Sequence, residues 1–196
     1  MRKLFIFNPH SGHNRARPGL DRRIREFIAA HSLDAGLSVT EGPGHARELA
    51  AGAAAAGAET VVAVGGDGTM NEVAQGLVRS ETALALVPCG SGNGLALHLG
   101  VPRDPVASLR LATGIGGRVV SLDTGEADGH PFFNAMGAQI GGTTLAFETT
   151  VRARRRGIGD TPTDVGRQYG SAARLQAVLN MGPLSNYPAA PANLFG

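Results

Sequence analysis

Apolar positions along the chain follow two alternating patterns. Short, nearly continuous apolar runs predict buried β-strands, because a strand of a parallel sheet is covered on both faces. Such runs lie at residues 4–7, 37–40, 60–64 and 83–87. Apolar or alanine-rich segments with helical spacing lie at 20–28, 44–58, 71–78, 94–99 and 105–112. This alternation predicts an α/β domain with a parallel sheet covered by helices on both faces.

The pattern changes after about residue 115. Apolar runs at 118–122 and 132–136 predict two strands around a turn at Asp128-Gly129, residues 170–180 predict a helix, and 182–196 are rich in Pro, Ala and Asn. We therefore divide the chain into an α/β domain at 1–117 and a β-rich, sandwich-like domain at 118–196 that is incomplete. A sandwich buries its apolar side chains between two sheets. We expect Phe132, Phe133, Ile140 and Phe147 to be poorly covered, which favours a homodimer or aggregation.

Composition narrows the class of protein. The chain has 196 residues, of which 42% are hydrophobic and 17% charged, so a core is expected. A net charge of +2 argues against a nucleic-acid partner. Cys89 is the only cysteine, which excludes an intrachain disulfide and fits a reducing compartment. The first apolar run is too short for a signal peptide. We expect a cytoplasmic protein whose membrane contact, if it has one, is peripheral and at the inner face.

The motif with the clearest chemistry is Gly-Gly-Asp-Gly-Thr at residues 65–69, between a predicted strand and a predicted helix. Such a turn directs backbone N–H groups and the positive end of a helix toward one point, which suits a phosphate. Its Asp67 carboxylate would repel a phosphate unless a Mg²⁺ ion or a substrate hydroxyl lay between them. The motif therefore predicts phosphoryl transfer from a nucleotide, although a glycine turn alone can be purely structural.

Two more loops follow predicted strands and should lie at the same edge of the sheet. In the loop 88–94, three glycines permit close backbone approach to a ligand, and Ser91 and Asn93 add hydrogen-bonding groups. Asn8 and Ser11, after the first strand, are candidates to hold phosphate or ribose oxygens. Taken singly, the first of these loops can be a flexible connection and the segment 8–12 an ordinary turn. No paired His and Asp supports Cys89 as a nucleophile.

Together these loops resemble the diacylglycerol kinase catalytic-domain family, which includes sphingosine kinases and bacterial lipid kinases. The matching segments occur in the family's order at 8–12, 40–46, 65–73, 88–95 and 101–105. The resemblance implies an ATP site between an α/β nucleotide domain and a β-sandwich lipid domain. Asp67 would then lie beside the transferred phosphoryl group, binding Mg²⁺ or accepting the proton of the acceptor hydroxyl. The residues implied to bind the nucleotide are Asn8, Ser11, Thr40, Gly65, Gly66, Gly68, Thr69, Gly90, Ser91, Gly92 and Asn93.

The chain departs from the family in two ways. Many relatives have Gly-Phe-Asp-Ala where this chain has Gln139-Ile140-Gly141-Gly142, so one acidic lipid contact is absent. Relatives are also longer, and their last segment returns to the nucleotide domain with further acidic residues. We accordingly expect a truncated chain. Four arginines between residues 152 and 156 are either a solvated face or a contact for anionic lipid.

Three functions remain open from the sequence. The first is an ATP- and Mg²⁺-dependent lipid kinase acting on the hydroxyl of diacylglycerol or a sphingoid-base-like lipid. The second is an NAD kinase-like small-molecule kinase with the same glycine-aspartate turn. The third is a truncated, catalytically silent nucleotide-binding protein. The sequence assigns no specific metal ligands.

Overall fold

The computed structural model of the chain describes residues 1–16, 18–114, 117–127, 130–133, 135–140, 143–148 and 174–180. Within these ranges the strands are β1 Lys3–Phe7, β2 Ala35–Val39, β3 Thr60–Gly65, β4 Ala83–Pro88, β5 Gly117–Asp123, β6 Gly125–Ala127, β7 His130–Phe132, β8 Ala135–Ile140, β9 Thr143–Glu148 and β10 Arg174–Asn180. The helices are α1 Gly12–Ala16, α2 Leu20–Ala30, α3 His45–Ala55, α4 Asp67–Leu77, α5 Gly94–His98 and α6 Pro105–Ala112.

The main sheet has six strands in the order β2-β1-β3-β4-β10-β5. The four strands β1 to β4 are parallel, as the apolar runs predicted, and every residue of β3 and β4 is buried. The next two strands of the chain pair with opposite edges of β1, β2 on one side and β3 on the other. Parallel sheets bind ligands at the carboxyl ends of strands where the order reverses in this way.

The β10 strand corrects the helix predicted at 170–180. Arg174–Asn180 is extended, antiparallel to β5 and parallel to β4, and it inserts between them. Its apolar residues fit either a helix or a strand by local pattern, and only pairing with distant strands selects the extended form. The strand predicted at 118–122 is β5, which therefore lies in the same sheet as β1 to β4. The boundary between residues 117 and 118 stays a prediction.

Two hairpins make up the rest of the described β-structure, β6 with β7 and β8 with β9. The strand predicted over 132–136 is interrupted, since β7 ends at Phe132 and β8 begins at Ala135. Phe133 between them is only 5% exposed, so our expectation of poor cover was wrong for this ring. Other predictions lie outside the described residues: the turn at Asp128-Gly129, Gly141-Gly142, the arginines of 152–156, residues 170–173 and the segment 182–196.

Close packing of α3 on α4 fixes the helix that follows the glycine-aspartate turn. A Cβ at Gly76 of α4 would lie 2.5 Å from the carbonyl oxygen of Arg47 and 2.9 Å from the Cβ of Ala50. The alanine-rich face of α3 therefore lets α4 approach as closely as two backbones allow. Among the described helices, none has the length and apolarity needed to cross a bilayer.

Candidate functional site

Three loops meet at the carboxyl ends of β1, β3 and β4. The N–H of Asn8, just after β1, donates to the carbonyl of Val64 in β3 at 3.0 Å. The N–H of Cys89, just after β4, donates to the carbonyl of Gly65 at 2.7 Å. The sheet thus brings together the three segments that the sequence analysis selected, although they are separated by tens of residues along the chain.

Glycine is required where two of these loops touch. A Cβ added to Gly90 would lie 2.6 Å from the Cα of Gly66, and one added to Gly65 would lie 2.5 Å from the Oγ1 of Thr69. Contacts below 3.0 Å force the backbone or the side chain to shift. The Gly66–Gly90 contact therefore sets the spacing of the two loops, and the absence of a side chain at Gly65 leaves room for Thr69.

The open surface of the site is the N-terminus of α4. The helix begins at Asp67, three positions earlier than the first residue after the predicted turn, so Gly68 and Thr69 belong to its first turn. Three N–H groups, those of residues 67–69, precede the first helical hydrogen bond, which Met70 donates to Gly66. No side chain caps this end, and a Cβ at Gly68 would meet nothing within 4 Å. An uncapped, approachable helix N-terminus is suited to an anion.

The Asp67 carboxylate faces the neighbouring loop. Its Oδ2 accepts a hydrogen bond from the N–H of Asn93 and its Oδ1 one from the N–H of Gly94, both at 2.7 Å. These donors form the N-terminus of α5, so Asp67 caps a helix that is distant in sequence. Because two N–H donors offset its charge, the carboxylate is compatible with a phosphate at α4. No local pattern around Asp67 signals this partner.

Asn93 closes its own loop. It has a left-handed backbone (φ 58°) and is only 4% exposed. Its Oδ1 accepts from the N–H of Gly90 at 2.9 Å, and its Nδ2 donates to the Gly90 carbonyl at 2.6 Å. Its amide group is thus committed to the turn, whereas Ser91 and Gly92 are exposed. A Cβ at Gly92 would lie 2.7 Å from the Oδ2 of Asp67, so this glycine leaves room for the carboxylate.

Asn8 organises the loop after β1. Its Nδ2 donates to the Oγ1 of buried Thr69 at 2.8 Å, which ties this loop to the first turn of α4. Its Oδ1 accepts from the N–H of His10 at 2.8 Å. Its carbonyl accepts from the Oγ of Ser11 at 3.2 Å and from the Nδ2 of Asn14 at 2.7 Å. Sequence reasoning missed Asn14, which lies six positions further on and in no recognised motif.

Thr40 lies next to this loop. It follows β2, and its N–H donates to the carbonyl of Phe7, the residue before Asn8, at 2.9 Å. Thr40 is buried. All twelve residues selected from the sequence therefore lie on segments at one edge of the sheet. Four of them, Asp67, Gly68, Ser91 and Gly92, are exposed, and three more, Asn8, Ser11 and Gly66, are half-buried.

The described residues contain no group of three or more His, Cys, Asp or Glu side chains arranged to hold a metal ion. Mg²⁺ in nucleotide sites is commonly held by one or two carboxylates together with the substrate phosphates. Asp67 is exposed and supplies one such carboxylate. One exposed carboxylate is compatible with a Mg²⁺ ion that a bound nucleotide also coordinates.

The geometry agrees with a comparison of the chain with known families. A sequence model of the diacylglycerol kinase catalytic domain matches residues 2–127, which include all three loops. The chain belongs to this family. The resemblance inferred from the loop motifs is thereby confirmed.

Relatives of the chain include kinases from several bacteria. It is 35% identical over 155 residues to a protein of Cronobacter sakazakii named "Probable lipid kinase YegS-like", covering 77% of this chain and 50% of the relative. It is 33% identical over 139 residues to the diacylglycerol kinase of Bacillus subtilis, covering 69% of this chain and 45% of that protein. This chain of the diacylglycerol kinase catalytic-domain family spans about half the length of the curated relatives it matches.

Solved structures agree with the assignment. The crystal structure of a diacylglycerol kinase from Bacillus anthracis superposes with a TM-score of 0.61 at 29% identity, covering 69% of this chain and 51% of that one. The α/β fold predicted from the hydrophobic pattern is therefore the fold of this family.

Proposed function

We propose that this chain contributes the ATP site of a lipid kinase that transfers the γ-phosphoryl group to a lipid hydroxyl. The observation that carries the proposal is the uncapped N-terminus of α4, where a Cβ at Gly68 would meet nothing within 4 Å. It lies where the strand order reverses between β1 and β3. The family assignment supports phosphoryl transfer as the chemistry at this point.

In this proposal the backbone binds the phosphates. The N–H groups of the first α4 turn and of the exposed Ser91-Gly92 segment donate to phosphate oxygens. Asn8 fixes Thr69 and thereby the start of α4, through its 2.8 Å hydrogen bond. Thr40 and Ser11 border the nucleotide from the β1 side. A Mg²⁺ ion, when bound with ATP, neutralises charge that develops on the transferred group.

Asp67 has two tasks in the proposed mechanism. It holds the α5 loop at a fixed distance from α4 through its two 2.7 Å hydrogen bonds. Each carboxylate oxygen keeps a further lone pair, which is available to Mg²⁺ or to the hydroxyl that attacks the γ-phosphorus. Catalysis then rests on positioning and on charge neutralisation by fixed groups.

The acceptor that we propose is diacylglycerol or a sphingoid-base-like lipid. This acceptor is supported by the activity for which the Bacillus subtilis relative is named, diacylglycerol kinase, and by the lipid kinase names of other relatives. A kinase with such an acceptor must reach the surface of a bilayer, so we propose peripheral contact at the inner face of the membrane. We also propose that the chain self-associates as a homodimer, which light scattering of the purified protein measures.

Nucleotide binding is tested by unfolding the protein with and without ATP-Mg²⁺. At one hundred times its dissociation constant the ligand should add about 2.7 kcal/mol to the free energy of unfolding. Gly68→Val should lose this increment, because the new side chain stands on the open helix N-terminus. Gly52→Val is the matched control, since Gly52 is also a helical glycine with nothing within 4 Å of a Cβ, and it should keep the increment. Equal responses of both variants would contradict the site.

The acceptor is tested by transfer of γ-³²P from ATP. Diacylglycerol and sphingosine are presented in mixed micelles, and NAD is presented in solution. Label on a lipid and not on NAD supports the proposal. Label on NAD alone supports the small-molecule kinase instead, and ATP binding with no label on any acceptor leaves the chain as a nucleotide-binding protein.

A further inference from the structure

A second concave site lies beside the nucleotide loops. It is a cavity of about 220 Å³ between α1, α2, the end of β4 and the start of α6. Its buried lining residues include Asn14, Leu20, Pro88 and Cys89, and its exposed ones include Arg23 and Arg103. None of the twelve residues assigned to the nucleotide site lines it. Both its chemistry and its position are therefore separate from those of the α4 N-terminus.

The mouth of the cavity is cationic. Arg23 belongs to α2 and Arg103 precedes α6, so folding brings two arginines 80 positions apart to the lining of one cavity. Neither has an ion-pair partner within the described part of the chain, and the described residues that line the cavity include no Asp or Glu. The adjacent Asp104 carboxylate is engaged in capping α6, where it accepts from the N–H of Ala107 at 2.7 Å. Two arginines without a carboxylate partner favour an anionic ligand.

The inner wall carries an unsatisfied acceptor. Asn14 is 5% exposed, and its Nδ2 donates to the carbonyl of Asn8 at 2.7 Å. Its Oδ1 is buried and has no hydrogen-bond partner among the described residues. Buried polar atoms are nearly always hydrogen-bonded, and an amide oxygen requires a donor. A bare anion supplies no donor to this oxygen, whereas a hydroxyl group on the same ligand does.

We propose that this cavity binds a small phosphate monoester that carries a hydroxyl group, with the phosphate held by Arg23 and Arg103 and the hydroxyl donating to the Oδ1 of Asn14. The remaining wall, with Leu20, Pro88 and Cys89, accommodates a short carbon skeleton. The wall is connected to the nucleotide loops, because Asn14 donates to Asn8 and Cys89 donates to Gly65. The ligand would therefore lie next to the loops after β1 and β3.

The test is an NMR titration of the full ¹⁵N-labelled chain with three probes. sn-Glycerol 3-phosphate has both groups, methyl phosphate has the anion without an alcohol hydroxyl, and glycerol has hydroxyls without an anion. We expect saturable shifts of the backbone amides of Leu20, Cys89 and Arg103. We expect sn-glycerol 3-phosphate to bind about 2- to 10-fold more tightly than methyl phosphate, the value of one hydrogen bond, and glycerol not to bind. Shifts confined to Gly68 and Ser91 would overturn the proposal.

A pair of variants tests the arginines. Arg23→Gln with Arg103→Gln should weaken sn-glycerol 3-phosphate binding at least about tenfold, since each charge-assisted contact is lost. The matched control is Arg25→Gln with Arg110→Gln, which also removes two arginines, one from α2 and the other from α6. This control should retain wild-type affinity. Unchanged affinity in the first pair, or equal loss in both pairs, would overturn the site. Circular dichroism and urea unfolding verify that both proteins fold.

Discussion

Asp67→Asn is the substitution that best tests how the site is held together. The wild-type carboxylate presents two acceptor oxygens to two N–H donors, those of Asn93 and Gly94, at 2.7 Å each. An asparagine retains one acceptor and turns an NH₂ group toward the other donor. The variant must therefore lose one hydrogen bond and place two donors face to face, although its size and shape are unchanged.

The loss is estimated from those contacts. A hydrogen bond to a charged group contributes about 1.5–3 kcal/mol, and solvent exposure of Asp67 favours the lower end. We expect the free energy of unfolding to fall by about 1–2 kcal/mol. For a chain of this length each kcal/mol lowers the melting temperature by about 2–4 °C, so the expected decrease is about 2–8 °C.

Urea unfolding followed by circular dichroism measures this change, and Asp104→Asn is the matched control. Asp104 also accepts at 2.7 Å at the start of a helix, but from only one donor, the N–H of Ala107. Asparagine caps a single donor as well as aspartate does, so the control should remain within a few tenths of a kcal/mol of the wild type. If Asp67→Asn is as stable as Asp104→Asn, the carboxylate does not hold the two loops together.

The same variant separates structure from chemistry. Phosphoryl transfer assayed well below both melting temperatures should be abolished in Asp67→Asn, because the carboxylate charge is needed for Mg²⁺ or for the acceptor hydroxyl. Retained transfer under those conditions would restrict Asp67 to its structural task.

Three further substitutions, and a fourth as their control, test the packing around the site. Gly90→Ala should destabilise the chain by about 1–3 kcal/mol, because its Cβ would lie 2.6 Å from the Cα of Gly66. Gly76→Ala should destabilise it by a similar amount in thermal unfolding, whereas Gly52→Ala, in the open on α3, should be neutral or stabilise by up to about 1 kcal/mol. Equal effects of these two would contradict the close α3–α4 contact. Asn93→Asp removes the Nδ2 donor to the Gly90 carbonyl and should lower stability by about 1–3 kcal/mol in urea, and an unchanged midpoint would argue against that turn.

Much of the fold was predictable because its signals are local. The strands predicted at 60–64 and 83–87 are β3 and β4, each one residue longer than expected. Each is a continuous apolar run, and a run of this kind is buried wherever it pairs. In a parallel sheet the loops that follow such strands lie together at the carboxyl edge. The three loops of the site were therefore identified without knowledge of their contacts.

The role of each residue within those loops depended on partners distant in the sequence. Local pattern gives Asp67 a place at a helix N-terminus, but not the α5 donors that its carboxylate engages 26 and 27 positions away. It likewise predicted a helix where β10 is a strand, since pairing with β4 and β5 decides that segment.

The sequence by itself determined the class of fold, the edge of the sheet that carries the site and the residue types present there. The hydrophobic periods of the strands and helices and the loop motifs each lie within a few consecutive residues, so they are visible in the sequence alone. Only the tertiary structure decided that the backbones of Gly66 and Gly90 are in contact and that Arg23, Arg103 and Asn14 line one cavity. These contacts join segments brought together by chain folding, so the spacing of residues along the sequence carries no record of them.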